Sequence, residues 1–286
     1  MTAVLAGLAD AAGFDARDCD AFVGTSAGSI VAAVLAAGIE PRARLGELPE
    51  QPAVRSADVA GDTGPAAQAF ELALGAGRAV AAPLALLGLR STEAGGALLR
   101  RLALSRVPPG RRSLANLGRE LERSGARWDG RLSVAAVEVE SGRRVMFGTA
   151  GAPEVGVGTA VEASCAIPGV FRPVVVGGRS YVDGGVWSPT NMDRAPAGRG
   201  TRVLCLNPTG SMRASRATPL GALGALSRSI AGVEALALER RGARVTTVSP
   251  DAASLAAIGP NLMDARPRAG VIAAGLAQGR AMGQRP

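Results

Sequence analysis

The chain reads as an α/β protein, with a mainly parallel sheet between helical layers and a helical region inserted into it. Three observations predict this. Short apolar runs rich in valine alternate along the chain with Ala/Leu-rich stretches of helical period. One of these runs, residues 21–23 (AFV), passes through a glycine turn directly into a helical segment. Residues 41–130, by contrast, are mostly helical in pattern, with no strand alternation before the run that opens at Arg131. The 286 residues contain no polar linker, repeat or low-complexity tract that would divide them. They are read as a single domain, residues 1–286, in which residues 41–130 form a cap or insert.

The elements follow in order. Thr2–Ala12 reads as a helix closed by Gly13, and residues 21–23 as a buried strand. Residues 30–37 (IVAAVLAA) read as a helix stopped by Gly38 and Pro41. Within the insert, helical pattern covers residues 66–74, 80–89, 92–104 and 114–124. Residues 131–140 and 143–147 predict two strands turning at Ser141-Gly142, and residues 157–166 a short helix before Pro168. Residues 173–176 and 179–182 predict a second hairpin around Gly177-Gly178, which delivers the chain into Asp183. Arg202–Leu206 and Arg244–Val248 read as buried strands on either side of a long helix over 219–241, and a helix over 269–282 follows.

Composition narrows the function classes. All 32 basic residues are arginine, against 24 acidic ones, for a net charge of +8. The arginines are scattered in ones and twos without interleaved aromatics, which favours a solvated surface over a nucleic-acid site. Cys19, Cys165 and Cys205 are odd in number and widely spaced, and there is no histidine, so no zinc-ligand pattern exists. Three reduced thiols and no visible signal peptide predict a cytoplasmic protein. Residues 79–89 are too short to span a bilayer and read as a core or cap helix interrupted by Pro83 in preference to a lipid-facing surface, with a transient contact with a membrane surface left open. No metal or cofactor is expected, and the oligomeric state is not legible.

Gly24-Thr25-Ser26-Ala27-Gly28 fits G-x-S-x-G, the sharp turn that presents a nucleophilic serine between a strand and a helix. With 39 glycines in the chain, chance alone gives roughly 0.3 such matches, so the strand–turn–helix setting carries the argument. Gly24 and Gly28 are expected to relieve crowding in the turn. The Ala27 N–H, at a helix N-terminus, is the foremost oxyanion donor. A bland alternative makes Ser26 a helix N-cap with Ser29 beside it. Because histidine is absent, any attack by Ser26 requires a carboxylate to take its proton. Asp183-Gly184-Gly185 supplies a candidate; its bland reading is a turn after a strand.

Taken together these residues resemble the patatin-like phospholipase family, in its bacterial branch, over residues 2–279. The densest matches are VGTSAGS (residues 23–29), ASCAIPGVFRPVVVGGRSYVDGGVWSPTN (163–191) and PDAASLAAIGPNLMD (250–264). The resemblance implies a three-layer α/β/α fold and a Ser-Asp dyad acting on lipid acyl esters through an acyl-enzyme. It makes Ser26 the nucleophile and Asp183 the base, with Gly184 and Gly185 as the base loop. It also implies a first strand and a glycine-rich oxyanion loop ahead of Thr2. The chain as written has neither, so the expectation is an N-terminally truncated, impaired hydrolase with an open edge beside the nucleophile strand. The competing class is a non-catalytic relative that binds lipid or protein. A metal hydrolase is disfavoured because no acidic cluster stands near the serine turn.

Overall fold

The computed structural model of the chain describes residues 1–46, 93–211, 219–259 and 266–284. The helices expected over 66–74 and 80–89 therefore lie outside the described residues, as does much of the expected insert. Helix α1 (Thr2–Ala12) ends at Gly13 as its sequence predicts. Strand β1 (Phe22–Thr25) is followed, after Ser26, by α2 (Ala27–Ala36), whose first residue is the Ala27 expected at the helix N-terminus. Then come α3 (Glu93–Leu104), α4 (Ala115–Arg123), β2 (Leu132–Glu138), β3 (Arg144–Phe147) and α5 (Val157–Cys165). The second hairpin is β4 (Val174–Val176) and β5 (Arg179–Asp183). Beyond it lie β6 (Arg202–Leu206), α6 (Pro219–Arg240), β7 (Arg244–Val248), α7 (Ala252–Ile258) and α8 (Arg268–Gly283).

The fold is α/β, with parallel pairing in β1–β2 and in β6–β7. The hairpin pairs β2–β3 and β4–β5 are antiparallel, and so is β2–β5, which makes the main five-stranded sheet mixed. One detail of register positions the site. Val134 of β2 pairs with both Gly24 and Phe147, and Ala136 pairs with both Val145 and Asp183. β3 therefore occupies one edge of β2, while β1 and β5 lie end to end along the other. They run toward each other and stop at adjacent rungs, Thr25 opposite Ala135 and Asp183 opposite Ala136.

Alternation along β2 divides the core between two faces. Val134 and Ala136 pack with α2, α4 and α5 through Ala33, Leu121, Ala160 and Val161, and the Phe147 and Tyr181 rings meet edge to face in the same cluster. Val137 and Val182 pack on the opposite face under Leu104 of α3. Helices α1 and α8 lie against each other through Ala3, Ala6, Ile272 and Leu276.

The buried character expected of the last two strands is corrected. Arg244, Thr246 and Thr247 of β7 are exposed, and in β6 only Cys205 is buried. These strands form a separate two-stranded sheet, packed through Cys205 on Ala231 and Leu238 of α6, so much of the ladder keeps contact with water. Among the described residues no helix is long and apolar enough to cross a membrane.

Candidate active site

The end-to-end meeting of β1 and β5 brings the two sequence motifs together. Ser26 leaves β1 with φ +50° and ψ −129°, in a region that disfavours side chains, so its turn must be held by its surroundings. Three contacts hold it. The Ser26 N–H donates to the Ser164 hydroxyl of α5 at 2.9 Å, and the Ser26 carbonyl accepts from the Ser29 N–H at 2.8 Å and from the Ser29 hydroxyl at 2.6 Å. Gly24 is required by close approach, since a β-carbon there would run into the backbone of Ser29. Gly28 has no such role: a β-carbon there meets nothing within 4 Å, so the crowding expected at that position is absent.

The Ser26 Oγ–H donates to Asp183 Oδ2 at 2.7 Å, and the side chain makes no capping bond to α2. Its first role is thus toward the carboxylate, not as a helix cap. Asp183 is fixed from both sides. Its N–H donates to the Ala166 carbonyl at 3.0 Å, and its Oδ1 accepts the Gly185 N–H at 2.7 Å. Gly184 lies so close over the Ala135 carbonyl that no side chain fits.

Electrostatics follow from burial. Asp183 is 6% exposed. Loss of hydration pushes its carboxyl up to about 6, against the opposing pull of the Gly185 N–H and the Ser26 hydroxyl. Its neighbour Cys165 is pushed up to about 12 by burial and then by the Asp183 charge, so that thiol stays neutral. Ala27 is exposed at the N-terminus of α2, and the N–H groups of Ala27 and Gly28 make no hydrogen bond among the described residues. The two residues that follow Ser26 in sequence therefore keep their helix N-terminal donors free.

Ser164 and Asn191 also hold the site, and residue-level reading assigned neither a role. Both fall inside the 163–191 block, but a serine inside a helix and an asparagine in a loop carry no local pattern. Among the described residues no group of three His, Cys, Asp or Glu side chains could hold a metal ion. A cavity of about 290 Å³ lies elsewhere, between α1, α8 and the ends of β6 and β7, and includes neither Ser26 nor Asp183.

A strained serine between strand and helix, bonded to a buried carboxylate beside free helix N–H groups, is the layout of a hydrolase-type α/β protein. Comparison with known families is more specific. The patatin-like phospholipase family model matches residues 2–196, and the chain belongs to that family. The match spans Ser26, Ser164, Asp183 and Asn191 and supports an esterase-type enzyme acting on lipids. No curated protein matches the chain.

Proposed function

We propose that this protein hydrolyses lipid acyl esters with Ser26 as nucleophile and Asp183 as its base. The observation that carries the reading is the 2.7 Å bond from Ser26 Oγ to a carboxylate whose burial has raised its basicity. Aspartate at its ordinary pKa, about 3.9, is a weak base at neutral pH. At about 6 it is still ionised at pH 7 and holds a proton far better. As Oγ attacks the ester carbonyl, its proton passes to Asp183 Oδ2 and the carbonyl oxygen becomes an oxyanion facing the Ala27 and Gly28 N–H groups. Collapse breaks the bond to the leaving alcohol, which takes the proton from Asp183, and leaves an acyl-Ser26. Asp183 then deprotonates a water that attacks this ester, and a second collapse releases the fatty acid and returns the proton to Ser26.

A fluorophosphonate probe tests the assignment. Labelling at Ser26 that disappears in Ser26→Ala supports it; undiminished hydrolysis of a short-chain ester by Ser26→Ala assigns the activity elsewhere. A folded protein that binds phospholipid vesicles without labelling or turnover would favour the non-catalytic reading. The cytoplasmic, membrane-peripheral location is part of the same proposal, as transient contact with a lipid surface is what the substrate class requires.

A further inference from the structure

The 2.7 Å between Ser26 and Asp183 has to be maintained between two chain segments that do not pair with each other. β1 and β5 are each laddered to β2, and both ladders end inside the motifs, with Thr25 and Asp183 as their last rungs. Ser26 lies one residue beyond β1, and the turn over residues 184–188 follows directly on β5. Rotation of the Ser26 turn about the end of β1 would open the gap without breaking a ladder bond, and on the other side the ladder fixes the Asp183 backbone but not the turn that follows it.

One side chain spans both. Asn191 is fully buried, with 0% exposure. Its Nδ2 donates to Thr25 Oγ1 at 3.0 Å, on the residue immediately before Ser26. The same nitrogen donates to the Ser188 carbonyl at 2.6 Å and, more weakly, to the Gly184 carbonyl at 3.3 Å, both in the turn that follows Asp183. The Thr25 hydroxyl returns its own proton to the Thr190 carbonyl at 3.3 Å. Asn191 is itself fixed. Its backbone N–H donates to the Ser188 hydroxyl at 3.1 Å, and its Oδ1 accepts from Arg144, whose guanidinium is held by Asp193 through two bonds of 2.7 Å. Arg144 in turn belongs to β3, on the far edge of β2. The backbone of Asn191 sits at φ +49°, ψ +25°, a left-handed conformation that asparagine tolerates better than most residues.

We propose that Asn191 is a positioning residue that ties the Ser26 turn to the Asp183 turn and so fixes the separation of the two side chains. The role rests on the Ser-Asp reading above. An amide suits it where a carboxylate does not: Asn191 must donate its two protons to the Thr25 hydroxyl and the Ser188 carbonyl while accepting from an arginine, and ionised aspartate has no proton to donate.

The test compares Asn191→Gly, which keeps the left-handed backbone but removes the amide, with Thr25→Val, which removes the hydroxyl from the other side. Trp128→Phe, which loses one hydrogen bond to the Val155 carbonyl remote from the site, controls for general destabilisation. The rate of fluorophosphonate labelling at Ser26 should fall about 10- to 100-fold in Asn191→Gly and in Thr25→Val, the scale on which small misplacement acts. Thr25→Ser should recover most of that loss, and the double variant should be no slower than the slower single, because both remove one link. Trp128→Phe should label at the wild-type rate. Labelling of Asn191→Gly at the Trp128→Phe rate, or multiplicative losses in the double variant, would overturn the proposal.

A second readout needs no chemistry at Ser26. Backbone hydrogen exchange over residues 24–29 and 184–188 should quicken in Asn191→Gly and stay unchanged over residues 132–138. Equal protection in wild type and variant would overturn the proposal even if wild type proves unreactive, an outcome that would count against the Ser-Asp reading. If Asn191→Gly does not fold, Thr25→Val carries both measurements.

Discussion

Replacing Asp183 by asparagine should make the protein more stable at neutral pH while removing the proposed base. The new amide could keep the shape of the carboxylate: its oxygen would still accept the Gly185 N–H, and its nitrogen would donate to Ser26 Oγ where Asp183 Oδ2 now accepts. What the substitution removes is a buried charge. The Asp183 carboxyl titrates at about 6 in the folded protein, against about 3.9 in an unfolded chain. The native state therefore holds the proton more tightly than the unfolded state does. Its contribution to stability is fully present below about pH 4 and is lost as pH rises through about 6. A gap of roughly 2 units corresponds to about 3 kcal/mol at 1.36 kcal/mol per unit. Asp183→Asn has no such titration, so its advantage over wild type should grow by up to about 3 kcal/mol between pH 4 and pH 8. Urea unfolding of both proteins at the two pH values measures this directly. A stability difference that is the same at both, or an asparagine variant that is weaker at pH 8, would rule out the buried charge as a cost to the fold.

Two further outcomes follow from the same geometry. Ester hydrolysis by wild type should rise with pH through a limb near pH 6 in kcat/KM, since the carboxyl must be ionised to accept the Ser26 proton; a profile flat from pH 5 to 8 would contradict this. Gly24→Ala should destabilise the fold by about 2 kcal/mol through its clash with Ser29, as overpacking does, whereas Gly28→Ala should unfold at or above the wild-type urea midpoint, because the added methyl meets open space.

Much of the fold was legible because its signals are local. Gly13 and Gly38 stop their helices by adopting φ near +60° to +75°, and Gly142 and Gly177-Gly178 turn their hairpins in the same region of backbone space. Burial of β6 and β7 was not legible, since a run such as RVTTV reads alike whether its sheet is covered on both faces or on one. Helix α7 is too short for a periodic signal, its seven residues lying in a block that stands out only by its resemblance. At the site, the strand–turn–helix setting pointed to Ser26, and the lack of histidine demanded a carboxylate. That Asp183 reaches it depends on β1 and β5 meeting along one edge of β2, a fact of register between segments 157 residues apart. Ser164 and Asn191 act across similar distances in sequence, 138 and 166 residues, so no spacing rule could single them out.

The pairing of Ser26 with Asp183 as nucleophile and base is tested most directly by fluorophosphonate labelling of the wild-type chain across pH 4.5 to 8, with the modified residue located by mass spectrometry. The expected outcome is a single adduct on Ser26, formed at a rate that rises through a midpoint near pH 6 and lost in both Ser26→Ala and Asp183→Asn. An adduct on another residue, or labelling of Ser26 that proceeds equally fast in Asp183→Asn, would contradict it.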